Sequence, residues 1–485
     1  MSRIQRVMLG TGACLLALVV MCAALGIRPA EAAKPYDGTT VKVIVNAEYV
    51  KYAMSLVEQA LLDKHGIKLE VEVIPGEAFV TKTLLEFNQG RSPWDLVMFN
   101  PSDFADYSRH FEPLEPYIKK LNLDLALDDI AKEYQSSNMY WAGKLYAMPL
   151  DGDIHIMFYN KVAFERSENK QKFKDKYGYE LASPQTWKQW DDQAAFFHGW
   201  GWDGSDNKLF GAGASLKENI YSFVWWMQRF FAYGGQYFDE NMKPLINTKP
   251  GLRALTEMVN TIQYYPPGVL LFESEEPKTM LIKGEVPMLV SWTSTGKRVG
   301  DPNQSLIIDR AGFGMLPGHM VDGKVMRTVP NTGGRSFAIS KYSKVKEATA
   351  LVLEFVSSPE HSLTIVMNPK TIMDPWRTSH LTSEQFRAAF PGADRYLDAI
   401  KESFPYTVPF PLIPGSAEYR RKLSEMVTRA LQKSMTPQAA LDQAVEEWNK
   451  ITQRRGMKRQ QEFWQQQVTA MKEIGITFRP ELADK

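Results

Sequence analysis

The chain has 485 residues, 57 basic and 56 acidic, for a formal net charge of +1. Without an excess of positive charge, or a basic stripe interleaved with aromatic rings, polyanion binding has little driving force, so nucleic acid is excluded as a partner. Both cysteines, Cys14 and Cys22, lie near the N-terminus, and the seven histidines never fall three or four residues apart, which speaks against thiolate or helical zinc sites.

Arg3 and Arg6 precede an apolar run over 13–27, and the small-residue site Ala30-Glu31-Ala32 follows it. That is the layout of a secretory signal peptide. The run is about 15 residues, short of the roughly 20 that span a bilayer. Residues 1–32 are therefore expected to be a leader cleaved after Ala32, with a retained anchor as the alternative. Cleavage would remove both cysteines and leave a net charge of −1. The expected location is periplasmic, and stability must come from packing rather than disulfides.

The remaining chain of about 450 residues exceeds what one core usually holds, which predicts two domains. Residues 41–45 read as a buried strand, 52–62 as a helix closed by Gly66, and 69–73 as a half-exposed strand with period-two alternation. A helix over 78–89 stops at Gly90, and 94–99 is the next buried strand. Strands separated by single helices need crossover connections, so an α/β layer with a largely parallel sheet is expected. From 158 to 263 the pattern turns helical, broken by the Gly-rich stretch 199–213. Residues 287–292 and 312–316 read as strands of a second lobe, and 336–339 with a helix over 344–356 as a return to the first. The last hundred residues are helical, with Thr436 and Pro437 as N-cap and first residue of one helix.

Four stretches carry a family likeness: Gly143 to Pro149 followed by Phe158-Tyr159-Asn160-Lys161; Ser183-Pro184-Gln185-Thr186-Trp187; Lys283-Gly284-Glu285-Val286-Pro287-Met288 running to Ser291-Trp292; and Gly312 to Gly318 followed by Gly334 to Ser340. Their order and spacing resemble the family 1 extracellular solute-binding proteins of ABC importers, which include the maltose-binding receptors. The resemblance implies an α/β, two-lobe periplasmic binding protein fold of type II, with hinge strands between the lobes and a helical C-terminus. It places an N-terminal lobe at 38–150 and 331–370 and a C-terminal lobe at 151–330 and 371–485. It also implies a monomeric receptor, not an enzyme, that hands a carbohydrate or polyol to a membrane permease and needs no cofactor or metal.

In open α/β sheets ligands sit outside the carboxyl ends of the strands. That rule, which needs no family, selects Asn46, Glu48 and Tyr49 after the first strand and Asn100 and Asp103 after the third. The second pair is equally readable as a turn and helix cap. Asp151 and Asp153, beside His155, are two apart and share a face if extended. As paired carboxylates they suit acid/base chemistry, a metal, or sugar hydroxyls, and a solvated loop is the plain alternative. The family pattern matches Asp153 to a ligand-binding carboxylate and Trp292 to a stacking aromatic. Indole rings can stack on the apolar face of a sugar while hydroxyls find polar partners at the rim. Trp225, Trp226 and Trp376 are further candidates, with one of the adjacent pair expected to be core. Arg335 and Arg377 are read either as donors to hydroxyls, a carboxylate or a phosphate, or as surface ion pairs. Glycerol phosphate or a sugar acid is the alternative ligand, and an exported glycosidase or lyase the remote alternative activity. Asp203, Ser205 and Asn207 mimic the start of a calcium loop but lack its glycine and closing glutamate.

Overall fold

The computed structural model describes residues 34–478, so the expected leader lies outside the described residues. The first lobe is built on a five-stranded sheet in the order Lys68–Val73, Thr40–Val45, Leu96–Phe99, Arg335–Ile339, Ala147–Asp151. Leu96–Phe99 is buried at every position and reads as a continuous apolar run, whereas Thr40–Val45 is buried at Val41 and from Val43 to Val45, with Thr40 and Lys42 exposed. Lys68–Val73, at the edge, alternates exposed with half-buried positions. The first three strands are parallel, but Arg335–Ile339 runs antiparallel to both of its neighbours. The sheet is thus parallel in its first three strands and antiparallel around Arg335–Ile339, where the chain re-enters the lobe from the side at which the other strands leave it.

The second lobe centres on an antiparallel sheet in the order Met288–Trp292, His155–Asn160, Ala311–Gly314. Around it pack helices that follow their capping residues. Thr186 closes a capping box with Gln189 to open the helix Trp187–Phe197, and Thr436 accepts from the Ala439 amide ahead of Pro437–Arg455. The helix Ile220–Ala232 is apolar nearly all round and is buried between Lys249–Thr261 and Ser416–Leu431. Among the described residues no helix is long and apolar enough to cross a membrane.

The chain passes between the sheets three times. Residues 151–154 link Ala147–Asp151 to His155–Asn160, residues 331–334 lead into Arg335–Ile339, and residues 371–376 make the third passage. Ile154 bridges Asn331, and the Gly152 amide donates to the Asp374 carbonyl, so the crossings touch. Gly152 and Gly334 make this approach possible. A Cβ on Gly152 would lie 2.3 Å from the Pro375 oxygen, and one on Gly334, whose φ is +62°, would lie 2.2 Å from the Asp151 oxygen.

Candidate functional site

Where the strands of both sheets end beside these crossings, a cleft of about 210 Å³ opens. Tyr49 reaches it from the first turn of the helix Glu48–His65 and Asn100 from just beyond the strand Leu96–Phe99. Trp292 closes its strand on the opposite side, and Asp153, Thr332 and Arg335 come from the crossings. A hollow of about 550 Å³ beside residues 262–270 and one of about 810 Å³ against the helix Met457–Glu473 are larger, but neither takes in the ends of both sheets.

Arg335 organises the first-lobe side of the cleft. Its guanidinium donates to the Asp151 carboxylate and to the Tyr49 hydroxyl, stands 4.0 Å from Asp153, and lies over the Tyr49 ring at 5.1 Å. Asp151 is fully buried beneath it and also accepts from the Asp374 amide at 2.7 Å. Burial opposes the Arg335 charge, but Tyr49, then Asp151 and Asp153, hold its pKa above the ordinary value. Burial raises the Tyr49 phenol, which Arg335 pulls back only in part. Asp153 is driven well above the usual carboxylate range by burial, then by Asp151 and Asp374.

The second-lobe side is aromatic. Trp292 is 8% exposed, its Nε1 donates to Thr332 Oγ1 at 3.1 Å, and Tyr221 meets it edge-on at 5.5 Å. Behind it lies His155, edge-on at 4.4 Å, whose Nδ1 pairs with Gln228 Nε2 at 2.7 Å. Burial, helped by Lys278, lowers the His155 pKa to about 3, so the ring is neutral. Lys278 extends to the cleft from the helix Glu275–Lys283 and donates to Glu275 at 3.1 Å and Ser294 at 3.4 Å.

Of the residues singled out from sequence, Tyr49, Asn100, Asp153, Trp292 and Arg335 wall the cleft together. Three others support it from behind. Asp151 anchors Arg335, Trp225 packs on Trp292 at 5.6 Å, and Asp103 takes the guanidinium of the cleft residue Arg420 at 3.4 Å. The rest do not reach it, and these expectations are corrected. Asn46 is half-buried where the first strand ends, and Glu48 is exposed in the first turn of the helix Glu48–His65, where a carboxylate complements the helix dipole. Trp226 is core, stacked on Phe230 at 4.2 Å and donating to the Gly251 carbonyl. Trp376 is fully buried against His380. Arg377 is neither a ligand donor nor a surface ion pair: its buried guanidinium donates to the carbonyls of Leu125, Ala126 and Ser357.

Sequence reasoning missed Tyr221, Lys278, Ser294, Thr332 and Arg420. Thr332 precedes the Gly333-Gly334 pair and could have been found by that spacing. Lys278 and Arg420 look in sequence like ordinary solvated helix residues. Among the described residues lining the cleft, Asp153 is the sole carboxylate. Asp151, Asp153 and Asp374 can bring one oxygen each within 4.8 Å of one another, all on one side of the cleft.

A family model described as bacterial extracellular solute-binding protein matches residues 46–362. A probable amino-acid ABC transporter periplasmic-binding protein of Sinorhizobium fredii is 23% identical over 434 residues, covering 87% of this chain and 91% of that one. The mannitol-binding protein of Pseudomonas aeruginosa is 25% identical over 298 residues, covering 60% of this chain and 63% of that one. An ABC transporter solute-binding protein from Agrobacterium radiobacter, solved in complex with ribitol, superposes with a TM-score of 0.71 at 21% identity, covering 86% of this chain and 100% of that one. The fold is the two-lobe fold of periplasmic binding proteins.

Proposed function

Because the chain belongs to the bacterial extracellular solute-binding protein family, we propose that it captures a single sugar or polyol between its two lobes and delivers it to the membrane permease of an ABC importer. The observation that carries this reading is the cleft itself, about 210 Å³, in which hydrogen-bonding groups of both lobes converge beside Tyr49, Tyr221 and Trp292. Hydroxyl-rich ligands need many donors and acceptors with an apolar wall for their C–H faces. That the structural neighbour holds ribitol and a relative is a mannitol-binding protein supports a ligand of this size and kind.

The lobes are taken as 38–150 with 331–370 and 151–330 with 371–485, turning about the three crossings. A solute that touches Arg335 on one side and Trp292 on the other favours the closed state, which is what the permease would recognise. The protein acts as a monomer in the periplasm, exported by residues 1–32. No catalytic role is assigned. A glycosidase needs two carboxyls on opposite sides of the scissile bond, about 5–9.5 Å apart, whereas among the described residues lining this cleft Asp153 is the one carboxylate. A second reading, a sugar acid or glycerol phosphate, is favoured by the three cations Lys278, Arg335 and Arg420 on the walls.

Calorimetric titration with a panel of pentitols, hexitols, monosaccharides, sugar acids, glycerol phosphate and amino acids tests the assignment. Binding of a polyol or monosaccharide with Kd near 1 µM, about 8 kcal/mol, is expected. Tight binding of amino acids alone, as the name of the Sinorhizobium relative would suggest, would overturn it.

A further inference from the structure

All three crossings meet in one buried ionic cluster that touches the cleft. Asp151 and Asp153 flank the first, Arg335 begins the strand after the second, and Asp374 sits in the third. Asp151 is fully engaged by Arg335 and the Asp374 amide. Asp374 is not: it is completely buried, neither carboxylate oxygen has a well-formed hydrogen bond, and the Asp153 carboxyl and the otherwise unpaired Thr293 hydroxyl stand close enough to act on it. Lys297, equally buried, directs its ammonium to the Met373 carbonyl at 2.6 Å and to the Asn368 carbonyl and Thr371 Oγ1, not to a carboxylate.

Three carboxylates against two cations leave one negative charge in a cluster where Asp151 and Asp374 are fully buried and only Asp153 reaches the cleft, and such a charge is costly wherever it rests on the buried pair. Two carboxylates in contact can hydrogen-bond only if one of them is protonated. A hard metal ion suits this set poorly, since Arg335 and Lys297 stand beside it and the Asp151 oxygens are already taken.

We infer that Asp153 and Asp374 hold one proton between them in the ligand-free protein at neutral pH, and that a ligand oxygen accepting from the Asp153 acid takes that single O–H over from Asp374, so that ligand capture is linked to the proton. The linkage rests on the reading of the cleft as a ligand site; the shared proton does not. The same pair arrangement, one proton between two carboxyls, raises one of the two titrations. Burial and Asp151 push Asp374 up to about 7, against Lys297. The groups facing the pair are Asp151, Arg335, Tyr49, Tyr134, Tyr396, Lys297 and, one shell out, Lys278 with its partner Glu275. Tyr134 and Tyr396 stay neutral and donate elsewhere, to the Gly152 and Thr293 carbonyls. A ligand oxygen that accepts from the Asp153 acid binds the protonated pair better, so affinity is level below the pair's titration and falls as pH rises above it.

The ligand-free protein, labelled with carbon-13 at the aspartate carboxyls, is titrated by NMR from pH 4 to pH 9, beside Asp374→Asn and Asp153→Asn with circular dichroism as the check on folding. A carboxyl resonance that titrates near neutral pH and disappears in Asp374→Asn supports the shared proton. Aspartates that all titrate below pH 5, or a stoichiometric metal found by elemental analysis, overturn it. Ribitol and mannitol are then titrated calorimetrically at pH 6 to pH 9 in buffers of different ionisation enthalpy. Proton uptake approaching one per ligand at pH 8, with Kd rising up to tenfold per unit above neutrality, supports the linkage. A level Kd with no proton exchange overturns it. Should no sugar, polyol, sugar acid or amino acid bind while the neutral titration is present and lost in Asp374→Asn, the receptor reading fails and the shared proton stands.

Discussion

Arg335 and Arg377 share a residue type and differ in everything that surrounds them. Arg335 sits at the cleft with carboxylate and phenol partners, whereas Arg377 lies over the Trp376 ring at 4.4 Å and ties three backbone carbonyls together. Burial brings the Arg377 pKa down to about 10, with Asp129 at 3.4 Å opposing the shift. Replacing it leaves those carbonyls buried without donors. Arg377→Met is expected to lose about 3 kcal/mol or more in urea unfolding while the folded fraction binds ligand normally. Trp292 is a wall of the cleft and also part of the core, so truncation to alanine would cost about 3–5 kcal/mol of stability and confuse the two roles. Trp292→Phe keeps a ring and removes the bond from Nε1 to Thr332. Calorimetry should show affinity reduced by roughly tenfold, about 1.4 kcal/mol, with the unfolding midpoint little changed.

At the scale of elements, the crossings are held by close contact between backbones rather than by long side chains. Gly334 adopts a φ of +62° with its hydrogen aimed at the Asp151 carbonyl. In Gly334→Ala the new methyl group meets that oxygen, and the positive φ adds strain. The unfolding midpoint is expected to drop by several degrees in calorimetry, and ligand affinity to fall with it because Asp151, Asp153 and Arg335 are all displaced. The ends of the helices show the opposite situation, where short-range rules suffice. Thr186 with Gln189 and Thr436 with Pro437 begin their helices as read from sequence, since a cap depends on residues only three positions apart.

At the scale of the molecule, pH acts through two sets of buried groups with opposite signs. Burial lowers His110 to about 4, His155 to about 3 and His380 well below its ordinary value. The unfolded chain protonates these rings below about pH 6.5 and the folded chain does not, so stability falls as pH drops through that range, by about 1.4 kcal/mol per unit for each ring. Asp374 and Asp153 are raised instead. Between the unfolded value near 4 and the folded one near 7 the native state keeps a proton that the unfolded chain releases, and stability falls as pH climbs through that window. The histidines outnumber the shared proton, so thermal midpoints should rise steeply from pH 4 to 6.5 and decline slightly toward pH 7. Asp374→Asn should abolish the decline and steepen the rise from pH 4 to 6.5, where the shared proton opposes the histidines.

Periodicity and local signals were enough to predict the alternation of strand and helix in residues 41–99, the return of the chain near residue 336 and the caps, because each depends on neighbours close in sequence, whereas the two-lobe fold came from the resemblance carried by the order of the four motif stretches. The same resemblance singled out Asp153 and Trp292, and the Gly333-Gly334 pair pointed to Arg335, all three standing where strands end. What the chain alone leaves undecided is the fate of polar and aromatic side chains of the same type: Trp292 or Trp226, Arg335 or Arg377, Lys278 on a cleft wall or in solvent. Those depend on which faces the three crossings bring together, and residues such as Asp151 and Asp374, 223 positions apart, become partners only when the lobes have packed.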